Sequence, residues 1–185
     1  MEILLHTCCA VCLIYPLESL RQQGFKVEGL FYNPNIHPYT EYLARRKAAE
    51  QVSASSGLRM IFPEYLPQEF FQAVNTKEGP ALRCPICWEL RLRQTALLAK
   101  EKGCRYFTTT LLVSPYQNQD TLKKLGESVA KETGVDFFYE DFRPGFRKAH
   151  GQAKAQGIYC QKYCGCIYSE TERFKKTKTG SKNEK

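Results

Sequence analysis

Nine cysteines stand out in this chain of 185 residues, because most of them occur in closely spaced groups. They are Cys8, Cys9, Cys12, Cys84, Cys87, Cys104, Cys160, Cys164 and Cys166. The start of the chain does not resemble a signal peptide, since Glu2 replaces the usual basic residues and the apolar run is short. We therefore expect a cytoplasmic protein, whose cysteines stay reduced and serve as metal ligands or redox thiols.

Two cysteine pairs, Cys8–Cys9 and Cys84–Cys87, are candidates for one shared metal centre. Four thiolates suit either a tetrahedral zinc ion or a [4Fe–4S] cluster. We expect both pairs at helix starts, where the helix dipole favours the thiolate form. Adjacent cysteine side chains diverge, which favours the wider four-iron cluster but leaves zinc open. Cys12 is either a fifth thiol near the cluster or a core residue, and we favour the core.

The segment YCQKYCGCIY contains a third group, in which Cys164 and Cys166 flank one glycine. Such a pair can close into a small strained disulfide, and strained disulfides are the labile or catalytic ones. We interpret it as a redox-active dithiol, with a second metal half-site as the alternative. Cys104 is interpreted as a packing residue. A metal cluster beside a redox dithiol indicates electron transfer and hence a reductase.

One carboxylate is a candidate proton donor. Asp141, in the segment EDFRPGF, follows a predicted strand and could protonate a leaving oxygen. Arg143 and Arg147 nearby could hold phosphates. The alternative is a helix-capping acid beside two surface arginines.

Short apolar runs alternate with amphipathic stretches, and this pattern predicts the elements that position the cysteines. Strands are predicted at residues 3–6, 27–32, 59–62, 106–112 and 136–139. Helices are predicted at residues 10–23, 39–57, 84–103 and 120–134, with Asp120 as the cap of the last. This alternation predicts a single Rossmann-like, three-layer α/β domain with a parallel sheet. The layout is that of ATP pyrophosphatases, with HTCCAVC in place of their glycine- and serine-rich loop.

The positive charge of the chain is unevenly distributed. The net charge is +8, and residues 173–185 contain six basic residues and one acidic residue. This segment is polar and rich in lysine, so we expect residues 1–172 to form the domain and 173–185 a disordered tail. The tail either solubilises the protein or acts as an electrostatic arm for RNA. No apolar run is long enough for a membrane helix.

Four motifs together resemble the small, cobalamin-independent epoxyqueuosine reductase family. They are HTCCAVC, RCPICWELRL, EDFRPGF and YCQKYCGCIYSE, within residues 6–170. The family usually has a proline where this chain has Val11. The resemblance implies reduction of epoxyqueuosine to queuosine at the wobble position of tRNA, the last step of queuosine biosynthesis, with electrons from an unidentified donor.

The resemblance also implies roles for individual cysteines. Cys8, Cys9, Cys84 and Cys87 would hold a [4Fe–4S] cluster, while Cys164 and Cys166 would form a redox-active disulfide. An additional metal ion near Cys12 and Cys160 stays open. The alternative function is a zinc-stabilised RNA-binding module without catalysis, in which the same cysteine pairs would be structural.

Overall fold

Five short strands pair in parallel into one sheet, in a computed structural model that describes residues 1–179. Of residues 176–179 only the backbone is described. The strands are β1 (Glu2–His6), β2 (Lys26–Leu30), β3 (Met60–Ile61), β4 (Tyr106–Thr109) and β5 (Asp136–Phe137). Their order in the sheet is β3-β2-β1-β4-β5, so β1 lies at the centre. This confirms the predicted parallel α/β fold.

Helices cover both faces of the sheet. They are α1 (Ala10–Gln22), α2 (Tyr39–Ser55), α3 (Pro67–Val74), α4 (Pro80–Glu101), α5 (Gln119–Thr133), α6 (Phe146–Ala155) and α7 (Ile167–Thr179). Helix α1 contacts α2 and α6, while α4 contacts α3 and α5. These two sets form the outer layers of the three-layer arrangement. Short 3-10 helices at Thr110–Val113 and Arg143–Gly145 precede α5 and α6.

The central strand has the sequence of a fully covered strand. Ile3, Leu4, Leu5 and His6 are completely buried, without the apolar–polar alternation of a half-exposed strand. The ring of His6 forms a 2.8 Å hydrogen bond through Nδ1 to Thr109 Oγ1, and Nε2 lies 3.1 Å from the Tyr32 carbonyl oxygen. The imidazole therefore joins the carboxyl end of β1 to the segments at the ends of both neighbouring strands.

Three predicted boundaries differ from the structure, each for a local reason. β4 ends at Thr109, because its hydroxyl accepts a hydrogen bond from the Leu111 amide and starts a 3-10 turn. Asn118 caps α5 in place of Asp120, with its side chain accepting from the Thr121 amide. The start of α4 is at Pro80, four residues before Cys84, where a proline in the first helical position costs no hydrogen bond.

The last helix crosses the predicted boundary between domain and tail. Helix α7 continues through residues 173–179, where we expected disorder, and residues 180–185 lie outside the described part of the chain. Arg83 of α4 holds the first turns of α7 in place, since the Arg83 guanidinium pairs with Glu172 at 3.0 Å and lies over the ring of Tyr168. Every helix in residues 1–179 is too short or too polar to cross a membrane.

The approach of α5 to β5 gives a test of the packing. A Cβ atom on Gly126 would lie 2.3 Å from ring atoms of Phe137. Gly126→Ala should therefore lower the free energy of unfolding, measured in urea, by roughly 1–3 kcal/mol. The matched control is Gly151→Ala in α6, where nothing lies within 4 Å of the new Cβ. That variant should gain about 0.5–1 kcal/mol, because alanine favours the helix. An equal response of the two variants would contradict the packing described.

Candidate active site

Three sulfur atoms meet where β1 passes into α1. The Sγ atoms of Cys8, Cys9 and Cys12 all lie within 4.8 Å of one another, which places them in reach of one metal ion. Cys9 is the N-cap of α1, and its sulfur accepts a 3.3 Å hydrogen bond from the Cys12 amide. Cys12 is also buried in the core. The preference for a core role therefore missed its contact with the other thiols, which its spacing of one helical turn from Cys8 indicates.

Within this trio, Cys8 carries the most acidic thiol. Hydrogen bonds with the Cys12 and Cys9 thiols hold the pKa of Cys8 well below its usual value, and the Thr110 hydroxyl donates a further hydrogen bond to the Cys8 sulfur at 3.2 Å. The same contacts with Cys8 and Cys9 raise the pKa of Cys12. Thr110 also accepts a 3.0 Å hydrogen bond from the Cys8 amide. The turn after β4 thus stabilises both the backbone and the sulfur of Cys8.

The second cysteine pair, Cys84 and Cys87, lies farther from the start of its helix than the sequence predicted. Cys84 and Cys87 stand in the second turn of α4, so the predicted stabilisation of their thiolates by a helix start is wrong. Burial raises the pKa of Cys87 to about 12 and also raises that of Cys84. Neither residue belongs to the Cys8–Cys9–Cys12 trio. Cys87 packs instead against Cys166 in an apolar cluster with Phe70.

A buried arginine connects the two cysteine groups. Arg91 of α4 is only 2% exposed, and it donates to the carbonyl oxygen and the sulfur of Cys87, at 3.0 and 3.3 Å. Its charge also acts on Cys8 and Cys164. No carboxylate in the described part of the chain forms an ion pair with it. A buried cation needs a compensating anion, and the groups whose charge acts on Arg91 are the thiols of Cys87, Cys164 and Cys8. This donor set therefore fits an anionic thiolate-bound centre such as an iron–sulfur cluster.

The CGC segment is held in a tight conformation. Gly165 has φ +146°, a region that favours glycine, and a Cβ there would lie 3.1 Å from Asn35 Nδ2. Its carbonyl oxygen accepts a 2.8 Å hydrogen bond from the His37 amide. Cys164 is exposed, while Cys166 is buried. All nine cysteines, which lie in the described residues, are free, and the redox-active disulfide of Cys164 and Cys166 stays a prediction.

A second buried arginine anchors the same segment. Arg45 of α2 is 2% exposed and donates to the carbonyl oxygens of Cys164 and Tyr163, at 2.8 and 3.0 Å. Glu41, one turn earlier in α2, balances its charge at 2.7 Å. Sequence reasoning missed Arg45 and Arg91, because an arginine in an amphipathic helix normally indicates an exposed face. The spacing of four between Cys87 and Arg91 was the available signal.

Cysteines from the trio and from the CGC segment line one cavity at the carboxyl edge of the sheet. Its volume is about 730 Å³, a size typical of ligand sites, and Cys8, Cys12 and Cys164 form part of its wall. Gln161 also lines it and donates a 3.0 Å hydrogen bond to the Cys9 sulfur. The lining includes four cations and, among the described residues, no aspartate or glutamate. These cations are Arg45, Arg91, Lys162 and Arg173.

Three other predicted residues lie apart from this arrangement or at its edge. Asp141 is absent from the cavity wall, and its hydrogen bonds from Arg143, at 2.6 and 2.7 Å, lower its pKa. A carboxylate held ionised has no proton to give, so this geometry does not favour Asp141 as the acid, and its role stays a prediction. Cys104 is buried before β4, at the opposite edge of the sheet. Cys160 packs against the main core.

A comparison with known protein families identifies the family of this chain. The model of the family described as "Epoxyqueuosine reductase QueH" matches residues 3–172, a stretch that contains all nine cysteines. The chain belongs to the epoxyqueuosine reductase QueH family. The resemblance inferred from the four motifs is thereby confirmed.

Individual relatives agree with the family match. The QueH protein of Dehalococcoides mccartyi is 42% identical over 176 residues, which make up 95% of this chain and 96% of that protein. The QueH protein of Thermotoga maritima is 36% identical, with 94% and 93% of the two chains covered.

A solved structure of another protein has the same fold. It is the predicted subunit of a tRNA methyltransferase from Methanocaldococcus jannaschii, with a TM-score of 0.55 and 10% identity. The likeness covers 83% of this chain and 76% of that one. At this identity it supports the α/β fold alone.

The role of Arg91 can be tested through metal retention. A hydrogen bond from a charged donor contributes roughly 1.5–3 kcal/mol, so Arg91→Met should lose iron to a chelator roughly tenfold faster, or more, after anaerobic reconstitution. The matched control is Arg93→Met on the same helix, whose ion pairs with Glu89 and Glu132 are half-exposed. Arg93→Met should release iron at the wild-type rate. Equal rates for all three proteins would refute the role of Arg91.

Proposed function

We propose that this chain reduces epoxyqueuosine to queuosine at the wobble position of tRNA. Both carbon–oxygen bonds of the epoxide break, an alkene forms, and the oxygen leaves as water, which consumes two electrons and two protons. The observation that carries this proposal is the single cavity whose wall contains sulfurs from both the Cys8–Cys9–Cys12 trio and the CGC segment. Metal-bound thiolates and a dithiol are groups that can hold electrons, and here Cys8 and Cys164, one from each group, line the same cavity.

In this proposal, Cys8, Cys9, Cys84 and Cys87 hold a [4Fe–4S] cluster. Such a cluster, when bound, supplies single electrons at a potential that its surroundings set. The sulfur ligands of a cluster lie farther apart than those of one ion, because each binds a different iron. This is compatible with ligands in two separate groups on either side of Arg91. The third member of the trio, Cys12, then remains available as a ligand for an additional metal ion.

The CGC segment contributes the electron pair. When the Cys164 and Cys166 thiols join into a disulfide, they release two electrons and two protons, which balances the deoxygenation. Arg45 holds the carbonyl of Cys164, so the backbone stays in place while the sulfurs react. An electron donor that is not identified here returns the disulfide to the dithiol.

The cavity also suits the proposed partner. The cations Lys162 and Arg173 on its wall, and the lack of described acidic residues there, favour a phosphate-bearing ligand such as tRNA. We place the reaction in the cytoplasm, where cysteines stay reduced. A zinc-stabilised RNA-binding module without catalysis is not favoured, because it leaves Cys164 and Cys166 without a role and the relatives are named reductases.

The cluster can be tested by composition. Protein purified without oxygen should contain about four iron atoms and four labile sulfides per chain, with a broad brown absorption. Cys84→Ser should lose most of both, because one ligand is missing, and should lose tRNA deoxygenation with them. Cys104→Ser, a buried cysteine at the opposite edge, is the matched control and should keep the wild-type content. Zinc near one per chain, with no labile sulfide after reconstitution, would exclude the cluster.

The dithiol can be tested by a single turnover. Fully reduced protein, freed of external reductant, should convert about one equivalent of substrate per chain and end with a Cys164–Cys166 disulfide detectable by mass spectrometry. Cys166→Ser should give no product under these conditions, since it cannot form the disulfide, while Cys104→Ser, at the opposite edge of the sheet, should behave as wild type. Product formation by Cys166→Ser at the wild-type yield would show that the electron pair comes from elsewhere.

A further inference from the structure

Three aromatic side chains lie together on the wall of the cavity, and they have no role in the proposed reduction. Tyr116 and Phe146 meet edge to face with ring centroids 6.0 Å apart, and Phe146 lies 4.4 Å from the ring of His150. All three line the cavity. We call Tyr116, Phe146 and His150 the aromatic platform. Tyr116 is 83% exposed, so the platform reaches from the half-buried wall of the cavity out to its mouth.

The chain holds both parts of the aromatic platform firmly. Phe146 and His150 are four residues apart in α6 and share one face, while Ala149 and Ala153 are buried. The start of α6 is fixed by Gly145, where a Cβ would lie 1.9 Å from the ring of Tyr15. Any side chain at position 145 would therefore push the helix away from α1.

Tyr116 sits in a short, hydrogen-bonded connection. Its amide donates to the Ser114 hydroxyl at 3.3 Å, and the next amide, of Gln117, donates to the Ser114 carbonyl at 3.4 Å. Asn118 then caps α5. The exposed ring therefore projects from a backbone that is tied on both sides, and its exposure is a property of an ordered turn.

The surroundings of the aromatic platform identify its ligand. Lys162 and Arg173 line the same cavity, and no described acidic residue does. Exposed aromatic rings beside cations are the combination that binds single-stranded nucleic acid, because rings stack on bases and cations contact phosphates. Cys12 on this wall is buried whereas Tyr116 is exposed, so a nucleotide whose modified ring reaches the sulfurs leaves its neighbours in the RNA chain near the exposed part of the cavity.

We propose that the aromatic platform binds an unpaired nucleobase next to the wobble nucleotide, with Tyr116 stacked on it. This inference rests on the proposed function, since it assumes that the ligand is the anticodon loop. It goes further by assigning the recognition of an unmodified base to three residues. The platform thereby makes the enzyme select a wobble nucleotide whose neighbour is unpaired, as in a single-stranded loop.

The test uses RNA that cannot react. The probe is an anticodon stem-loop hairpin with unmodified guanine at the wobble position and 2-aminopurine on one side of it or the other, titrated with the full-length protein. Wild type should quench the fluorescence of one probe through stacking. Tyr116→Leu should weaken binding roughly tenfold and remove that quenching, whereas Tyr116→Phe, which keeps the ring, should restore both. The matched control is Tyr39→Leu, a tyrosine 57% exposed outside the cavity wall, which should bind as wild type.

The outcomes separate this inference from the proposed function. If Tyr116→Leu binds and quenches as wild type while wild type still deoxygenates tRNA, the aromatic platform is not a base site and the reductase assignment stands. If wild type does not bind the hairpin at all, the assignment of the platform falls together with the stem-loop as its ligand. If Tyr39→Leu weakens binding as much as Tyr116→Leu does, the effect is not specific to the platform and the inference is overturned.

Discussion

The central position of β1 is the constraint on which the rest of the structure depends. β1 pairs in parallel with β2 on one side and β4 on the other, and the chain runs outward from β1 through β2 to β3 before it crosses back to β4 on the other side. In such sheets a crevice opens at the carboxyl ends of the two strands where the order reverses. Cys8 and Thr110 lie at this point, joined by two hydrogen bonds. The fold therefore places the Cys8 thiol in this crevice, whether or not a metal is bound.

Two buried arginines give this crevice its chemical character. Among the described residues, Arg91 donates to the sulfur and the carbonyl oxygen of Cys87, whereas Arg45 is balanced by Glu41 and holds backbone carbonyls. Guanidinium groups are costly to bury, because they lose hydration. A protein that keeps one without a carboxylate partner favours negative charge beside it. Arg91 therefore makes the site selective for anionic occupants, while Arg45 serves the shape of the CGC segment.

The sequence predicted the fold and the chemistry better than the positions of individual groups. Buried runs such as residues 3–6 and a helix stop such as Gly134 are local signals, and both were found. The association of Cys12 with Cys8 follows from helical spacing, but its sulfur contacts depend on how α1 meets the sheet. The place of Cys84 and Cys87 in the second turn of α4 depends on where that helix begins, and it begins at Pro80 instead of residue 84. The pairing of Asp141 with Arg143 depends on the conformations of the two side chains, which the sequence does not reveal.

The unequal exposure of the two CGC thiols has a kinetic consequence. Cys164 opens onto the cavity, and Cys166 is covered by Phe70, Val74 and Cys87. Under the proposed function, a reductant that renews the pair would reach it through the cavity that also admits the RNA. RNA and reductant would then exclude each other, and the protein would alternate between an oxidised form that has released its product and a reduced form ready for the next tRNA. We would expect a ping-pong cycle, in which an excess of either partner delays the other.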